Sequence, residues 1–446
     1  MYRLIMLLAS LWLIAAAACA TPPAEPRGTT IRTQRDGAAA RTLAAPANRR
    51  ASADARRLLT ALQVPRDGCG VIVGQNIGSG EIVQTAYDQL IAGLQHTTGR
   101  APALVGLDYY DFDDDHHDYA ASHPPLLEHW RAGGLITISW SAINPWTGGD
   151  AWDLRQANLV ELLDPSSAAH QVWMVQLAAI ADALGELRDA GVIVLWRPLH
   201  EMNGNWFWWG SGAHAGDPAP YRALWRHMFQ YFSEDRGLDN LLWVYSAAGT
   251  EPSLPAADAF YPGADVVDIV AQSVYDGTLQ RFEYDRLEAL GKPVALGEFG
   301  PGLPWMGPQD GDYDYRRLLD LIAASYPQTI YWLSWHDWVE NGATVAISIA
   351  ANRHADDLMN AQCATTRDEL DWRETPPESL SPPERIHVPM QRNGACMPTS
   401  ACVQFDRAAA VPERYWVAAC RRQSVRCSSQ RRHPPPGSIA AILAMS

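Results

Sequence analysis

The residues best suited to chemistry gather in one run, Trp196-Arg197-Pro198-Leu199-His200-Glu201-Met202-Asn203-Gly204-Asn205-Trp206-Phe207-Trp208-Trp209-Gly210. It sets a histidine beside a carboxylate, four residues after an arginine, and follows them with four consecutive aromatics. A carboxyl group next to flat apolar rings suits an acid that works on a flat-faced ligand such as a sugar. His200-Glu201 also begins a zinc-binding H-E-x-x-H pattern. The position for its second histidine is Gly204, and the run follows a strand-like stretch, so the metal reading fails. The bland alternative is a salt-bridged carboxylate at a strand end, with the aromatics as loop core.

A second carboxylate, Glu298, lies in Ala295-Leu296-Gly297-Glu298-Phe299-Gly300, 298 − 201 = 97 residues further on. Two carboxylates flanking a sugar are what glycoside hydrolysis requires: one protonates the leaving oxygen, and the other attacks or activates water. A third aromatic-rich run, Tyr331-Trp332-Leu333-Ser334-Trp335-His336-Asp337-Trp338, completes the set. Trp206 and Trp335 are expected to touch sugar, whereas Trp332 is expected in the core. Trp208 and Trp209 fit either role. Arg197 could keep a carboxylate ionised through a charge-assisted bond or form a structural ion pair. The acidic run from Asp111 to Asp118 lacks the Gly and Glu of a calcium loop, having His116 and Ser122 there, and reads as a solvated loop.

These residues need a frame that brings distant strand ends together. Short β-branched or aromatic runs occur at Val71–Gln75, Leu104–Tyr109, Leu135–Trp140, Val192–Arg197, Leu241–Tyr245, Asp268–Val274, Val294–Glu298 and Ile330–Trp335. They read as parallel strands buried on both faces. Helix-like stretches alternate with them at Ile82–Gln95, Val172–Asp189, Tyr221–Phe232, Phe282–Leu290 and Tyr313–Tyr326. In Val172–Asp189 the helical period runs through Val172, Val175, Ala179, Ala183 and Leu187. Eight such repeats predict a (β/α)8 TIM barrel, an α/β fold. A doubly wound sheet is disfavoured because no strand is followed by a dinucleotide fingerprint or P-loop. The polar residues Asp108, Arg197–Asn203, Tyr275-Asp276 and Glu298 all fall at the C-terminal ends of their strands, the face that carries chemistry in a barrel.

Composition narrows the partners. The chain has 446 residues, 47% apolar and 19% charged, enough to bury a large core. A net charge of −15 argues against nucleic acid, and 18 tryptophans favour a flat ligand. Residues 1–20 read as a signal peptide: Arg3, an apolar run from Leu4 to Ala18, and Ala18-Cys19-Ala20 as a cleavage pattern. The run is too short for a membrane span, and Cys19 offers a lipid-anchor alternative. Residues 21–63 are assigned as linker, 64–372 as the catalytic barrel and 373–446 as a low-order tail. The tail carries Cys396, Cys402, Cys420 and Cys427, so a small disulfide-stapled module competes with disorder there. Sequence leaves the cysteine pairing open.

Taken together, the chain resembles glycoside hydrolase family 26 from about Val71 to Asp371. The most specific match is Arg-Pro-Leu-His-Glu-Met-Asn-Gly at 197–204 followed by Trp-Phe-Trp-Trp-Gly at 206–210, with Gly-Glu-Phe-Gly at 297–300. The resemblance implies a (β/α)8 barrel acting as an endo-β-1,4-mannanase with retention. It implies Glu201 as acid/base and Glu298 as nucleophile, the carboxyl groups lying roughly 5–5.5 Å apart. His200, Trp206, Tyr275 and Trp335 would line the sugar site, and Arg197 is placed with them as a substrate-binding residue. The loop 139–149 resembles the family's substrate loop but departs from it at Ser141 and Ala142, where several relatives have a sugar-contacting histidine. The expectation is therefore a monomeric enzyme on β-mannan, without cofactor or metal. It would be secreted or periplasmic, or an outer-membrane lipoprotein if Cys19 is acylated. The alternatives are the same mechanism on β-1,3-xylan or mixed-linkage β-glucan, and an inactive polysaccharide-binding barrel.

Overall fold

A computed structural model describes residues 43–64, 69–110, 118–214, 216–303 and 309–374. Eight parallel strands form its centre: β1 (Val71–Asn76), β2 (Leu104–Tyr110), β3 (Leu135–Ser141), β4 (Val194–Pro198), β5 (Leu241–Ala248), β6 (Ile269–Val274), β7 (Val294–Phe299) and β8 (Thr329–Ser334). They pair in sequence order, and β8 returns to pair with β1, so the sheet closes into a (β/α)8 barrel. Each of the eight apolar runs is a strand. Most are buried along their whole length because helices cover the outside and side chains fill the inside.

The crossovers carry the helices. After β1 come α2 (Val83–Tyr87) and α3 (Gly93–Thr98), joined by a π-helical turn over Asp88–Ala92. Then follow α4 (His123–Arg131), α5 (Ala168–Asp189), α6 (Ala219–Gln230), α7 (Tyr284–Glu288), α8 (Arg316–Ser325) and α9 (Ala355–Met359). A hairpin of β9 (Trp338–Glu340) and β10 (Ala343–Val345) follows β8. The short β11 (Ala364–Thr365) pairs with the start of β1. α4 is a helix that apolar periodicity did not single out; its buried residues include two histidines, His123 and His129.

Register sets which side chains meet inside. Asp108, Ser139 and Arg197 stand at one level on β2, β3 and β4, and in-register residues of neighbouring strands point to the same face. Ser273 and Glu298 are likewise paired on β6 and β7. Beneath this polar layer the interior is apolar. There Leu333 fills the space left by Gly74 and Gly106, where an added Cβ would sit 3.0 and 2.7 Å from its methyl carbons.

Two sequence expectations need correction. The linker assigned to 21–63 does not hold over its last part: Ala53–Gln63 is α1. Ser52 caps it by accepting from the Ala55 amide, and Ala55, Leu58, Leu59 and Leu62 are buried at helical spacing. The arm before it is also tied down. The Ala47 amide donates to Asp268 Oδ1 at 2.6 Å, and the Ser52 amide to the Asp239 carbonyl at 2.8 Å, both at the N-terminal ends of strands. In α5 the predicted face holds at Ala183 and Leu187, which are buried, but not at its start. Val172 and Val175 are 43% and 68% exposed, while Ala169, Trp173, Leu177, Ile180, Leu184 and Leu187 face the barrel. Trp173 stacks on the β3 residue Trp140, with ring centroids 5.2 Å apart, and that contact selects the face.

Cys69 and Cys363 form a disulfide that joins the start of β1 to the residue before β11, across 294 positions. The expected signal peptide, the linker up to residue 42, residues 111–117 of the acidic run and the tail from 375 lie outside the described residues. No helix among the described residues is long and apolar enough to cross a membrane.

Candidate active site

The turn after β4 carries the first carboxylate in an unusual backbone. Leu199 and Glu201 have φ of 46° and 57°, a left-handed region that costs a side-chain-bearing residue about 1–3 kcal/mol each. Neighbouring elements hold this conformation. The Leu199 amide donates to the Trp140 carbonyl at 3.2 Å and the Glu201 amide to the Ser246 carbonyl at 2.8 Å. The Leu199, His200 and Glu201 carbonyls accept from Tyr221 Oη, Trp209 Nε1 and the Gly204 amide, at 3.0, 2.8 and 2.8 Å. Asn203, fully buried, clamps the same turn to the end of β5. Its Nδ2 donates to the Ala248 carbonyl, and its Oδ1 accepts from the Ala248 amide.

This scaffold resolves the aromatic run. Trp208 and Trp209 are completely buried, and Trp208 Nε1 donates to the Ala142 carbonyl at 2.7 Å, so both shape the loop. Phe207 stacks on Trp209 at 4.5 Å and presents an edge to His200 at 5.4 Å. Trp206 alone stays partly exposed, and its Nε1 donates to Glu201 Oε2 at 2.9 Å. Trp332 is buried and stacks on Tyr315, away from the barrel interior.

Glu298 is far better supplied with donors. Arg197 Nη1 donates to its Oε1 at 2.7 Å, Tyr275 Oη donates to its Oε2 at 2.6 Å, and His200 Nε2 lies 3.3 Å from Oε1. Arg197 is 1% exposed and Glu298 3%, so the pair is screened from water. Arg197 therefore sits beneath the carboxylate as its counter-charge. Of the two roles expected for Arg197, its hydrogen bond serves the carboxylate. His200 is held neutral by burial, with Arg197 pushing the same way. Glu201 lies well above the usual carboxylate range, first because it is buried and second because Glu298 is negative nearby; Trp206 pulls it part of the way back.

Trp335 is partly exposed and packs with Tyr275, Ile347, Val345, Leu303 and Trp338 beside the end of β7. The structure thus brings Glu201, Glu298, His200, Arg197, Trp206 and Tyr275 into one contact network, with Trp335 adjoining it through Tyr275. In the loop 139–149, Asn144 organises the turn by accepting from the Trp146 and Thr147 amides, and Ala142 is buried. Ser141 does not face the sugar site as a free group; its hydroxyl donates to Asp108 Oδ2 at 2.9 Å. Asp108 was visible as a polar strand end, but its place beside the Arg197 layer depends on register. Among the described residues no cluster of three His, Cys, Asp or Glu side chains is arranged to hold a metal.

The sequence profile of glycosyl hydrolase family 26 matches residues 47–369. The chain belongs to this family. The match begins before α1, in keeping with the tied-down arm. Curated relatives include mannan endo-1,4-beta-mannosidase A and B of Caldalkalibacillus mannanilyticus, 35% identical over 300 residues that make up 64% of this chain and 55% of that protein. The mannan endo-1,4-beta-mannosidase of Bacillus subtilis (strain 168) is 33% identical over 304 residues, 65% of this chain and 78% of that protein. The chain thus spans about half the length of the first relative and over three quarters of the second. A solved Bacillus subtilis mannanase superimposes with a TM-score of 0.64 at 30% identity, covering 73% of this chain and 95% of that one.

Proposed function

We propose that this family 26 glycoside hydrolase is a retaining endo-β-1,4-mannanase. The observation that carries the proposal is the opposite treatment of two buried carboxylates on one rim. Glu298 receives a guanidinium and a phenol on its two oxygens; Glu201 receives burial and a negative neighbour, which favour its protonated form. A Glu298 oxygen attacks the anomeric carbon as the glycosidic bond breaks. The bonding pair goes to the leaving oxygen, which takes the Glu201 proton. With Glu298 esterified, its charge is gone, so Glu201 is less disfavoured as an anion and can take a proton from water. That water attacks the same carbon and frees Glu298. Tyr275 and Arg197 hold the two Glu298 oxygens, and Trp206 fixes the Glu201 carboxyl.

β-Mannan is the favoured polymer because the relatives named above are mannan endo-1,4-beta-mannosidases. Trp206 and Trp335 supply the partly exposed flat surfaces a sugar needs. The apolar leader expected at 1–20 supports export, and the Cys69–Cys363 bond suits an oxidising compartment. The test is reducing-end release from mannan, β-1,3-xylan and mixed-linkage β-glucan side by side, with the product anomer followed by NMR. Mannan should be the fastest substrate, with β-configured product appearing first. A faster rate on either other polymer would overturn the substrate, and an α-configured first product would overturn the mechanism.

A further inference from the structure

One polar group of the barrel floor is left out of the mechanism above. Asp108, at the end of β2, shares its level with Ser139 and Arg197 on the next two strands. Its Oδ2 accepts from Ser141, while Oδ1 is buried and has no hydrogen-bond partner. The guanidinium in the same layer is half used: Nη1 reaches Glu298, but Nε and Nη2 are buried without a partner. The other titratable groups that interact with this aspartate or this arginine are Glu298 from β7, Glu201 and His200 from the turn after β4, Tyr275 from the end of β6, Tyr331 from β8 and Tyr110 from β2 itself. One buried cation is therefore hydrogen-bonded to Glu298 and acts on Asp108 through space.

The two carboxylates differ in what the reaction does to them. When Glu298 forms its ester it loses its charge, and Arg197 is left as a buried cation whose bonded counter-ion has gone. An uncompensated buried charge is strongly unfavourable. Glu201 also interacts with this guanidinium but gives up and regains its proton during the reaction; Asp108 is a carboxylate set level with Arg197 by the β2–β4 register and has no proton to transfer.

We infer that Asp108 is a positioning residue that acts through Arg197, balancing the guanidinium charge while Glu298 is esterified. This rests on the double-displacement reading with Glu298 as nucleophile. The ionised aspartate weakens the hold of Arg197 on Glu298 in the free enzyme and supplies the counter-charge in the intermediate. Both effects favour the first chemical step, which governs kcat/KM. Burial lifts the Asp108 carboxyl to about 6, against the pull of the Ser141 hydroxyl and Arg197, so its charge is lost within the working range of such an enzyme.

The experiment compares wild type, Asp108→Asn and Ser141→Ala on soluble mannan across pH, with the product anomer followed by NMR in each. Inversion in wild type would remove the double-displacement reading, and this inference with it. With retention established, Asp108→Asn should lower kcat/KM about tenfold and move the acid limb down by about one pH unit, since the titrating carboxyl is gone. Ser141→Ala removes a donor to the ionised form, raises the Asp108 pKa and should move the same limb up. Opposite movements support the inference. A limb that stays in place, or that moves the same way in both variants, overturns it even if activity falls. Should Asp108→Asn not fold, the upward shift in Ser141→Ala decides alone.

Discussion

The ends of β4 and β7 each deliver one buried carboxylate to the same rim, by opposite means. At β7, Glu298 is part of a regular strand, and strong donors reach it from β4 and from the end of β6. At β4, Glu201 lies beyond the strand in a left-handed turn, with one indole as its side-chain donor. A strand position lets neighbouring strands aim donor side chains at a carboxylate. A strained turn lifts a carboxylate clear of those donors and leaves burial to keep it protonated. Position in the fold thus decides which groups surround two otherwise identical side chains.

The sharpest way to break this comparison is to remove each carboxylate. Glu298→Ala should lower kcat on mannan at least about 10⁴-fold while leaving oligosaccharide affinity within a few-fold, read by calorimetry. Loss of binding together with turnover would deny Glu298 its role at the reacting carbon. Glu201→Ala should cost about 10²–10⁴-fold on mannan, yet far less in the first step with an aryl glycoside whose leaving group needs no proton. Equal losses on both substrates would contradict an acid role.

Smaller changes sharpen the comparison. Arg197→Met strips the charge beneath Glu298 and should destabilise the fold by about 3–5 kcal/mol in denaturant titrations, because a buried anion is left unpaired. Trp206→Phe should do least. It removes the donor that favours ionised Glu201, so the carboxyl keeps its proton to higher pH and the alkaline limb moves up by less than about one unit. A downward shift would show that the indole favours the protonated form instead.

Sequence made the strands legible because a strand buried on both faces is an apolar run that stops where the rim begins. Glu201 and Glu298 were legible for the same reason: each is a charge at the end of such a run. What escaped notice depended on contacts rather than pattern. α1 is a capped amphipathic helix whose signal, Ser52 followed by Ala55, Leu58, Leu59 and Leu62, was absorbed into the polar stretch before it. In α5 two apolar periods overlap, and contacts such as the Trp140–Trp173 stack decide between them. The left-handed turn at Leu199 and Glu201 leaves no trace in residue type, since neither is a glycine. Arg197 could be read equally as a carboxylate partner or a structural ion; barrel closure brings it under Glu298.

The Cys69–Cys363 bond turns most of the barrel into a covalent ring. Closing a loop of 294 residues removes unfolded-state entropy worth about 6 kcal/mol in the simplest chain model. The ring also changes what a backbone cut does. A protease that nicks any loop between the two cysteines opens the ring into one branched molecule, not two fragments. The pieces stay at high local concentration, each still docked in the barrel wall, and the two carboxylates on β4 and β7 keep a common frame. A single cleavage in a surface loop is then a scar rather than an inactivation.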